Sequence, residues 1–183
     1  MPQNITKVSD YTGMLHLVID ENTTDFFNEF AFEIEKKILR GDGRMDYGLL
    51  GDVEYIALLA DLDSGNVPQT QKYTDLVDGI NYIGSDGKTT IFGGIKKMLQ
   101  YFIYCEFTKD NMYQESELGT LQTTAEHSIK TTRKGINKRA NQRWNTGVDL
   151  YNGETYDYLL FYQSNYANWD FTRQTKYLTN GII

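Results

Sequence analysis

The chain has 183 residues, of which 40% are apolar, and a formal net charge of −7 at neutral pH. This length fits one ordinary hydrophobic core, so we interpret residues 1–183 as a single domain with an N-terminal arm (1–22) and a C-terminal tail (170–183). The acidic balance argues against a protein whose whole surface binds nucleic acid. Because no stretch approaches about 18 uninterrupted apolar residues and the first residues are polar, we expect no membrane partner and no secretory signal.

The first part of the chain is predicted to form three helices. Thr23 or Thr24 can cap the first helix. Its apolar residues recur at helical spacing, at Phe26, Phe27, Phe30, Ile34 and Ile38. Its predicted solvent-facing residues are Glu29, Glu33, Glu35 and Lys37. A second helix from about Tyr47 to Leu62 carries the apolar residues Leu50, Val53, Ile56, Ala57 and Leu59. A short third helix that leads into the next element is marked by Tyr73, Leu76, Val77 and Ile80.

A β-hairpin is predicted between this third helix and an aromatic-rich helix. Residues 80–83 and 89–92 favour extended backbone, and Gly84-Ser85-Asp86-Gly87 supplies the turn between them. The apolar residues from Ile95 to Phe107 then repeat at helical spacing. Because a bare two-stranded hairpin cannot bury both of its faces, we expect Tyr82 and Ile91 to contact neighbouring molecules.

The C-terminal part is predicted to contain one long helix or two abutting helices. Residues 115–124 are polar and favour a loop, with a strand as the alternative. The helical region begins near Ser128, and a break is plausible at Gly147 or Gly153 because glycine destabilises a helix interior by about 1 kcal/mol relative to alanine. The predicted fold class is therefore mainly α, a helical bundle with a long C-terminal helix and an inserted β-hairpin.

Two motifs resemble ligand-binding loops but lack a required residue. Gly87-Lys88-Thr89 resembles the end of a phosphate-binding loop, whose earlier glycine would fall at Tyr82. The segment starting at Asp61 resembles a calcium loop, whose twelfth position should be an acid and is Lys72. The sequence therefore favours a hairpin turn and a structural loop at these places.

No local pattern of catalytic or metal-ligating residues is present in the sequence. The two histidines, His16 and His127, have no cysteine or second histidine at ligand spacing, and Cys105 is alone. No serine lies in a nucleophile motif, although carboxylates paired only in space remain an open alternative. We predict that the protein is not an enzyme and has no cofactor, metal site or catalytic residue.

A strongly basic block contrasts with the acidic remainder of the chain. Between His127 and Val148 there is no acid, and the block contains Lys130, Arg133, Lys134, Lys138, Arg139 and Arg143. Their spacing gives a predicted helix that is basic over much of its circumference. Three partners fit this surface: acids of the same fold, an acidic neighbouring subunit, or DNA.

Fourteen tyrosines, nine phenylalanines and two tryptophans make the chain rich in aromatic residues. Tyrosine gives a large contact area at a low entropic penalty, so surfaces that become buried on assembly are enriched in it. The same residues also suit the core of a helical protein, and both uses remain open.

Several short segments follow one another in a characteristic order. They are Leu49-Leu50-Gly51, Tyr55, Tyr73, Leu76, Gly79 to Tyr82, Phe92-Gly93-Gly94 and the long C-terminal helix. This order, over roughly Phe26 to Trp169, resembles that of small neck proteins of tailed bacteriophages, the head–tail connector or adaptor subunits, particularly those of phages with Bacteroidetes-type hosts.

This resemblance implies a structural role in the virion. The chain would form a homo-oligomeric ring, a dodecamer if it matches the portal, that contacts the portal protein and other neck or tail proteins. Phage DNA would pass through the channel, and assembly would take place in the cytoplasm of the bacterial host. The alternative is a nucleic-acid-binding module that uses the basic helix 130–143.

Overall fold

The computed structural model describes residues 4–17, 19, 23–41, 48–84, 86–112, 115–116, 119–120 and 133–166. Its helices are α1 (Thr24–Leu39), α2 (Gly51–Asp61), α3 (Gln71–Asp78), α4 (Gly94–Met112), α5 (Arg133–Leu150) and α6 (Tyr156–Tyr166). Its strands are β1 (Ile80–Ile83), β2 (Thr89–Phe92), β3 (Glu115–Ser116) and β4 (Gly119–Thr120). The mainly α prediction with an inserted hairpin and a long C-terminal helix is confirmed.

Helix α4 lies between two layers of the fold. On one face, Phe102 packs edge to face against Trp144 of α5, with ring centroids 4.7 Å apart. On another face, Phe107 packs edge to face against Phe27 of α1 at 5.1 Å. Successive residues of an α-helix are rotated by about 100°, which puts Phe102 and Phe107 about 140° apart around the α4 axis. Helices α1 and α5 therefore lie on nearly opposite sides of α4.

The N-terminal segment packs against the same side of α4 as α1. Two short 3-10 turns, Val8–Asp10 and Gly13–Leu15, carry it across this side. Lys96 of α4 pairs with Asp10 at 3.1 Å. The residues of this segment that enter the core are Ile5, Tyr11 and Leu15. The predicted N-terminal arm thus contributes to the hydrophobic core.

The long C-terminal helix is continuous through Gly147 and changes its winding near Gly153. Of the two positions where a break was predicted, Gly147 shows none. This glycine instead lets α5 approach α4 closely. A Cβ at position 147 would lie 2.9 Å from Cε1 of Phe102. A π-helical turn, Tyr151–Thr155, joins α5 to α6 and contains Gly153.

Two glycines fix the base of the hairpin. Gly79 ends α3 with φ of 96°, and Gly94 begins α4 with φ of 81°. A Cβ on Gly79 would lie 2.8 Å from the Gly94 nitrogen, and one on Gly94 would lie 2.8 Å from the Gly79 nitrogen. Only glycine tolerates both this backbone conformation and this approach. The two strands therefore leave the helical layer from one tight junction.

In three places the structure corrects the sequence-based prediction or makes it more specific. Glu35, predicted to face solvent, is fully buried. In α2, the buried side chains include Glu54 and Tyr55, whereas Val53 and Ile56 are exposed. Residues 115–116 and 119–120, in the segment predicted as a loop that could include a strand, form the short antiparallel pair β3–β4.

Candidate interaction surfaces

The hairpin has one face in the core and one face in solvent. The strands are antiparallel, with Ile80 opposite Phe92 and Ile83 opposite Thr89. Tyr82 is only 7% exposed and lies 4.7 Å from the Phe161 ring of α6. Phe92 stacks on Tyr158 with centroids 4.1 Å apart. The inner face is therefore anchored to the C-terminal helix by aromatic contacts.

The outer face of the hairpin presents two large apolar side chains. Ile83 is 59% exposed and Ile91 is 70% exposed. They share this face with the exposed Asn81 and Thr89. Of the two residues predicted to contact a neighbour, Ile91 lies on the free face, whereas Tyr82 lies beneath it in the core. The predicted contact of Ile91 with a neighbouring molecule stays a prediction. For Tyr82, the burial that was expected from a neighbour is provided by α6 of its own fold.

Helix α2 presents a second exposed apolar surface. Val53 is 80% exposed and Ile56 is 55% exposed, and the partly buried Ala57 lies beside them. Contiguous exposed apolar side chains on a regular element are typical of interaction sites. The periodic apolar residues of α2 were visible in the sequence, but their exposure follows from the burial of Glu54 on the opposite face.

Glu54 is the centre of a buried polar cluster that joins α2, α3 and α6. Its Oε1 accepts a hydrogen bond of 2.5 Å from the Tyr162 hydroxyl and forms an ion pair of 2.7 Å with Lys72 Nζ. The Lys72 ammonium lies 4.5 Å from the Tyr73 ring centroid. Burial and the hydrogen bond to Glu54 raise the pKa of Tyr162 well above its ordinary value. The hydroxyl therefore remains a donor, and the cluster stabilises helix packing.

A second buried carboxylate, Glu35 of α1, binds the N-terminal segment. It accepts hydrogen bonds from the amides of Ile5 and Thr6, both at 2.8 Å, and from the Thr6 hydroxyl at 2.6 Å. Burial raises the pKa of Glu35 to about 7, although the hydrogen bonds from Thr6 and Ile5 oppose this rise. Because its donors come from residues about 30 positions earlier, helical periodicity alone could not identify this role.

The described part of the basic block lies on the outer side of α5. Lys138 and Arg139 are exposed, and Arg143 is partly buried. Among the described residues, no ion pair involves these three side chains. Arg133 and Lys134 lie in the first turn of α5, but their side chains are outside the described part, as is all of Lys130.

An exposed acidic row occupies the outer side of α1. Asp25, Glu29 and Glu33 follow one another at helical i, i+4 spacing and are all exposed. Glu33 forms a surface ion pair of 3.6 Å with Lys36. Since α1 and α5 contact nearly opposite sides of α4, the acidic row and the basic block of α5 face away from each other.

The residues of the rejected ligand loops have structural partners. Asp61 accepts hydrogen bonds from the backbone amides of Gln69 and Thr70, and Asp63 accepts them from those of Gly65 and Val67. These carboxylates therefore cap their own loop. Gly87 and Lys88 lie in the hairpin turn, where the Gly84 amide donates to the Lys88 carbonyl.

The described residues contain no group of three or more His, Cys, Asp or Glu side chains placed to hold a metal ion. Burial raises the pKa of the Cys105 thiol to about 11, so this thiol stays protonated. His16 lies in the N-terminal segment, and His127 is outside the described residues. Within the described helices, none combines the length and hydropathy needed to span a bilayer.

No protein-family model matches the chain, and no curated protein or solved structure is significantly similar to it. The functional interpretation therefore depends on the surfaces of the molecule itself.

Proposed function

We propose that this chain is a structural subunit that assembles with copies of itself into a ring, of the type that joins the portal to the tail in the neck of a tailed phage. The observation that carries the proposal is the placement of oppositely charged helix faces on opposite sides of α4. Asp25 and Glu29 mark the acidic face, and Lys138 and Arg139 mark the basic face.

Opposite charge on opposite sides favours head-to-tail association. In such a contact, the basic face of one copy meets the acidic face of the next, and every copy uses both faces. A head-to-tail interface generates a closed ring when the rotation between neighbours closes, and a filament when it does not. Charge complementarity of this kind steers encounter and fixes the orientation of the partners.

The exposed apolar surfaces provide further contacts for such an assembly. Ile83 and Ile91 cover the outer face of the hairpin, and Val53 and Ile56 cover that of α2. A phage neck subunit must contact its lateral neighbours and the layers above and below it. The proposed vertical partners of these apolar surfaces are the portal protein and another neck or tail protein.

The same arrangement suits a channel through which DNA passes. Phosphate contacts by many copies of a basic patch would retain the genome, because each contact adds affinity. Lateral contacts would cover the basic face of α5 and leave the acidic excess to line the channel or face solvent. The proposed location is therefore the virion neck at the portal vertex.

Paired charge reversals test the lateral contact. We expect Lys138→Glu with Arg139→Glu to weaken assembly, and Asp25→Lys with Glu29→Lys to weaken it similarly. A variant with all four changes restores complementarity at every interface, so it should assemble again. Lys97→Glu, which reverses a 48% exposed cation in the first turn of α4, outside the charged faces and the exposed apolar surfaces, is the control and should assemble normally.

Sedimentation velocity at low salt measures the assemblies, and thermal unfolding verifies that each variant is folded. The proposal is wrong if both double variants assemble like the wild type, or if the fourfold variant fails although it is folded. DNA binding is measured with the same proteins. Salt-sensitive binding that is lost in the Lys138→Glu, Arg139→Glu variant while assembly persists would favour the nucleic-acid-binding module.

A further inference from the structure

An open cleft of about 590 Å³ lies between the hairpin turn and α6. Its α6 wall is formed by Asp157, Leu160, Phe161, Ser164 and Asn165. These positions follow i, i+3, i+4, i+7 and i+8 spacing, so they form one continuous face of the helix. The charged faces of α1 and α5 are not part of the cleft.

The α6 wall changes its chemistry along the helix. The exposed carboxylate of Asp157 lies at the N-terminal end. One turn later, Leu160 is 39% exposed and Phe161 is half-buried. The exposed Ser164 and Asn165 follow, and each donates a side-chain hydrogen bond to a backbone carbonyl of its own helix. Their side-chain oxygens still have lone pairs, so the wall presents a carboxylate, an apolar patch and hydrogen-bond acceptors in that order.

The charge left unpaired in the cleft is negative. Burial raises the pKa of Tyr82, and the carboxylates of Asp157 and Asp86 raise it further, so both carboxylates lie near this tyrosine. Asp86 pairs with Lys88 at 3.4 Å, whereas Asp157 forms no ion pair with any residue that the structure describes. No cation is among the described residues that line the cleft. Charge complementarity therefore favours a cationic occupant.

We propose that the cleft binds an extended segment of a partner protein, in which an arginine pairs with Asp157 and an apolar side chain two positions away packs on Leu160. Alternate side chains of an extended segment lie on the same side, about 6.6 Å apart. Along α6, Leu160 lies about 4.5 Å and Asn165 about 12 Å beyond Asp157. Three alternate side chains span about 13 Å, so they reach the carboxylate, the apolar patch and the acceptors in turn. A guanidinium suits this site because it pairs with a carboxylate through two hydrogen bonds and stacks on aromatic rings.

The choice of a different protein over a second copy follows from where the cations of this chain lie. None of the four described strands contains a lysine or an arginine. Among the described side chains, the exposed cations lie on helices or, for Lys88, in the hairpin turn. The described part of the chain therefore offers no exposed extended segment with a cation. This proposal does not depend on ring assembly, because the cleft excludes the charged faces of α1 and α5.

Photo-crosslinking of the full chain with synthetic peptides tests this proposal. The probes are acetyl-Gly-Arg-Ser-Leu-Ser-Asn-Gly amide and the peptide with the reverse order, which cover both chain directions. Photo-leucine replaces the leucine, and mass spectrometry locates the crosslinks, which we expect at Leu160 and Phe161. Competition with unlabelled peptide measures the affinity. A peptide with glutamate in place of arginine should compete about tenfold more weakly, because an attractive pair becomes a repulsive one.

Charge variants of the protein complete the test. Asp157→Arg should reverse the preference, so that the glutamate peptide binds about tenfold better than the arginine peptide. Asp157→Asn removes the charge without reversing it and should bind both peptides equally. Asp149→Arg, at an exposed position of α5, is the control and should behave like the wild type. Absence of crosslinks on α6, or the same preference in wild type and Asp157→Arg, would overturn the proposal. Crosslinking that falls as the chain self-associates would assign the cleft to a second copy, contrary to the proposal.

Discussion

The carboxylate of Glu35 binds Thr6 through both the amide and the hydroxyl of that residue, at 2.8 and 2.6 Å. This contact joins the middle of α1 to the N-terminal segment in a site where Glu35 is fully buried. A buried carboxylate is tolerated only when its oxygens accept hydrogen bonds. The contact therefore couples the docking of the N-terminal segment to the protonation state of one residue.

We expect this coupling to make stability depend on pH. Burial raises the pKa of Glu35 from its ordinary value of 4.5 to about 7. A raised folded-state pKa means that the stabilising contribution is complete below about pH 4.5 and is lost as the pH rises through about 7. The expected loss between about pH 5 and pH 8 is about 3 kcal/mol of unfolding free energy.

Urea unfolding of the wild type and of Glu35→Gln over this pH range measures the effect. The variant should be less stable at low pH by about 1–3 kcal/mol, because one amide nitrogen would face hydrogen-bond donors. The difference between the two proteins should shrink as the pH rises. The exposed Glu29→Gln should show no such trend. A pH-independent difference between wild type and Glu35→Gln would contradict the prediction.

Two tyrosines on α6 should respond oppositely to loss of the hydroxyl. Tyr158 and Tyr162 are both fully buried, but the Tyr158 hydroxyl has no hydrogen-bond partner among the residues that the structure describes. We expect Tyr162→Phe to destabilise the fold by about 1.5–3 kcal/mol, because Glu54 loses a donor. Tyr158→Phe should be neutral or stabilising by about 1 kcal/mol, since it removes an unpaired buried polar group. Chemical denaturation compares them, and equal losses would refute the assigned difference.

Two glycines of the C-terminal helix form another matched pair. A Cβ at Gly147 would lie 2.9 Å from Cε1 of Phe102, whereas a Cβ at Gly153 would have no described neighbour within 4 Å. Gly147→Ala should destabilise the fold by about 1–3 kcal/mol through overpacking. Gly153→Ala should stabilise it by up to about 1 kcal/mol through helix propensity. Melting temperatures measure both, and a stabilising Gly147→Ala would show that α4 and α5 can move apart without loss.

The elements of this fold that depend on local sequence signals were predictable. The apolar periodicity of α1 and the glycine turn at 84–87 are local signals, and both elements form as predicted. The burial of Glu35 and Glu54 was not predictable. Their hydrogen-bond partners are Thr6, 29 residues earlier, and Tyr162, 108 residues later. A single sequence contains no record of these pairings.

The exposed apolar surfaces also depend on long-range contacts that the sequence does not reveal. The pattern of α2 identifies Val53 and Ile56 as apolar. It cannot show that Glu54 takes the buried side, where Lys72 compensates its charge and Tyr162 donates a hydrogen bond to it. The alternation of residues along the two hairpin strands correctly predicts which side chains share a face. Which face contacts the core follows only from the position of Tyr158 on α6.

The last prediction concerns the outer face of the hairpin, where neighbouring residues have opposite environments. Ile91 is 70% exposed, and Phe92 is 2% exposed and stacked on Tyr158. If the outer face is an assembly contact, Ile91→Ser together with Ile83→Ser should leave the unfolding free energy within about 0.5 kcal/mol of the wild type and weaken assembly. Phe92→Ala should instead lose about 3–5 kcal/mol of stability, because it empties a core site. Unfolding and sedimentation measured on the same samples separate the two effects. Normal assembly of the folded double serine variant, alone and with the portal protein that we propose as its partner, would remove the hairpin from the proposed interface.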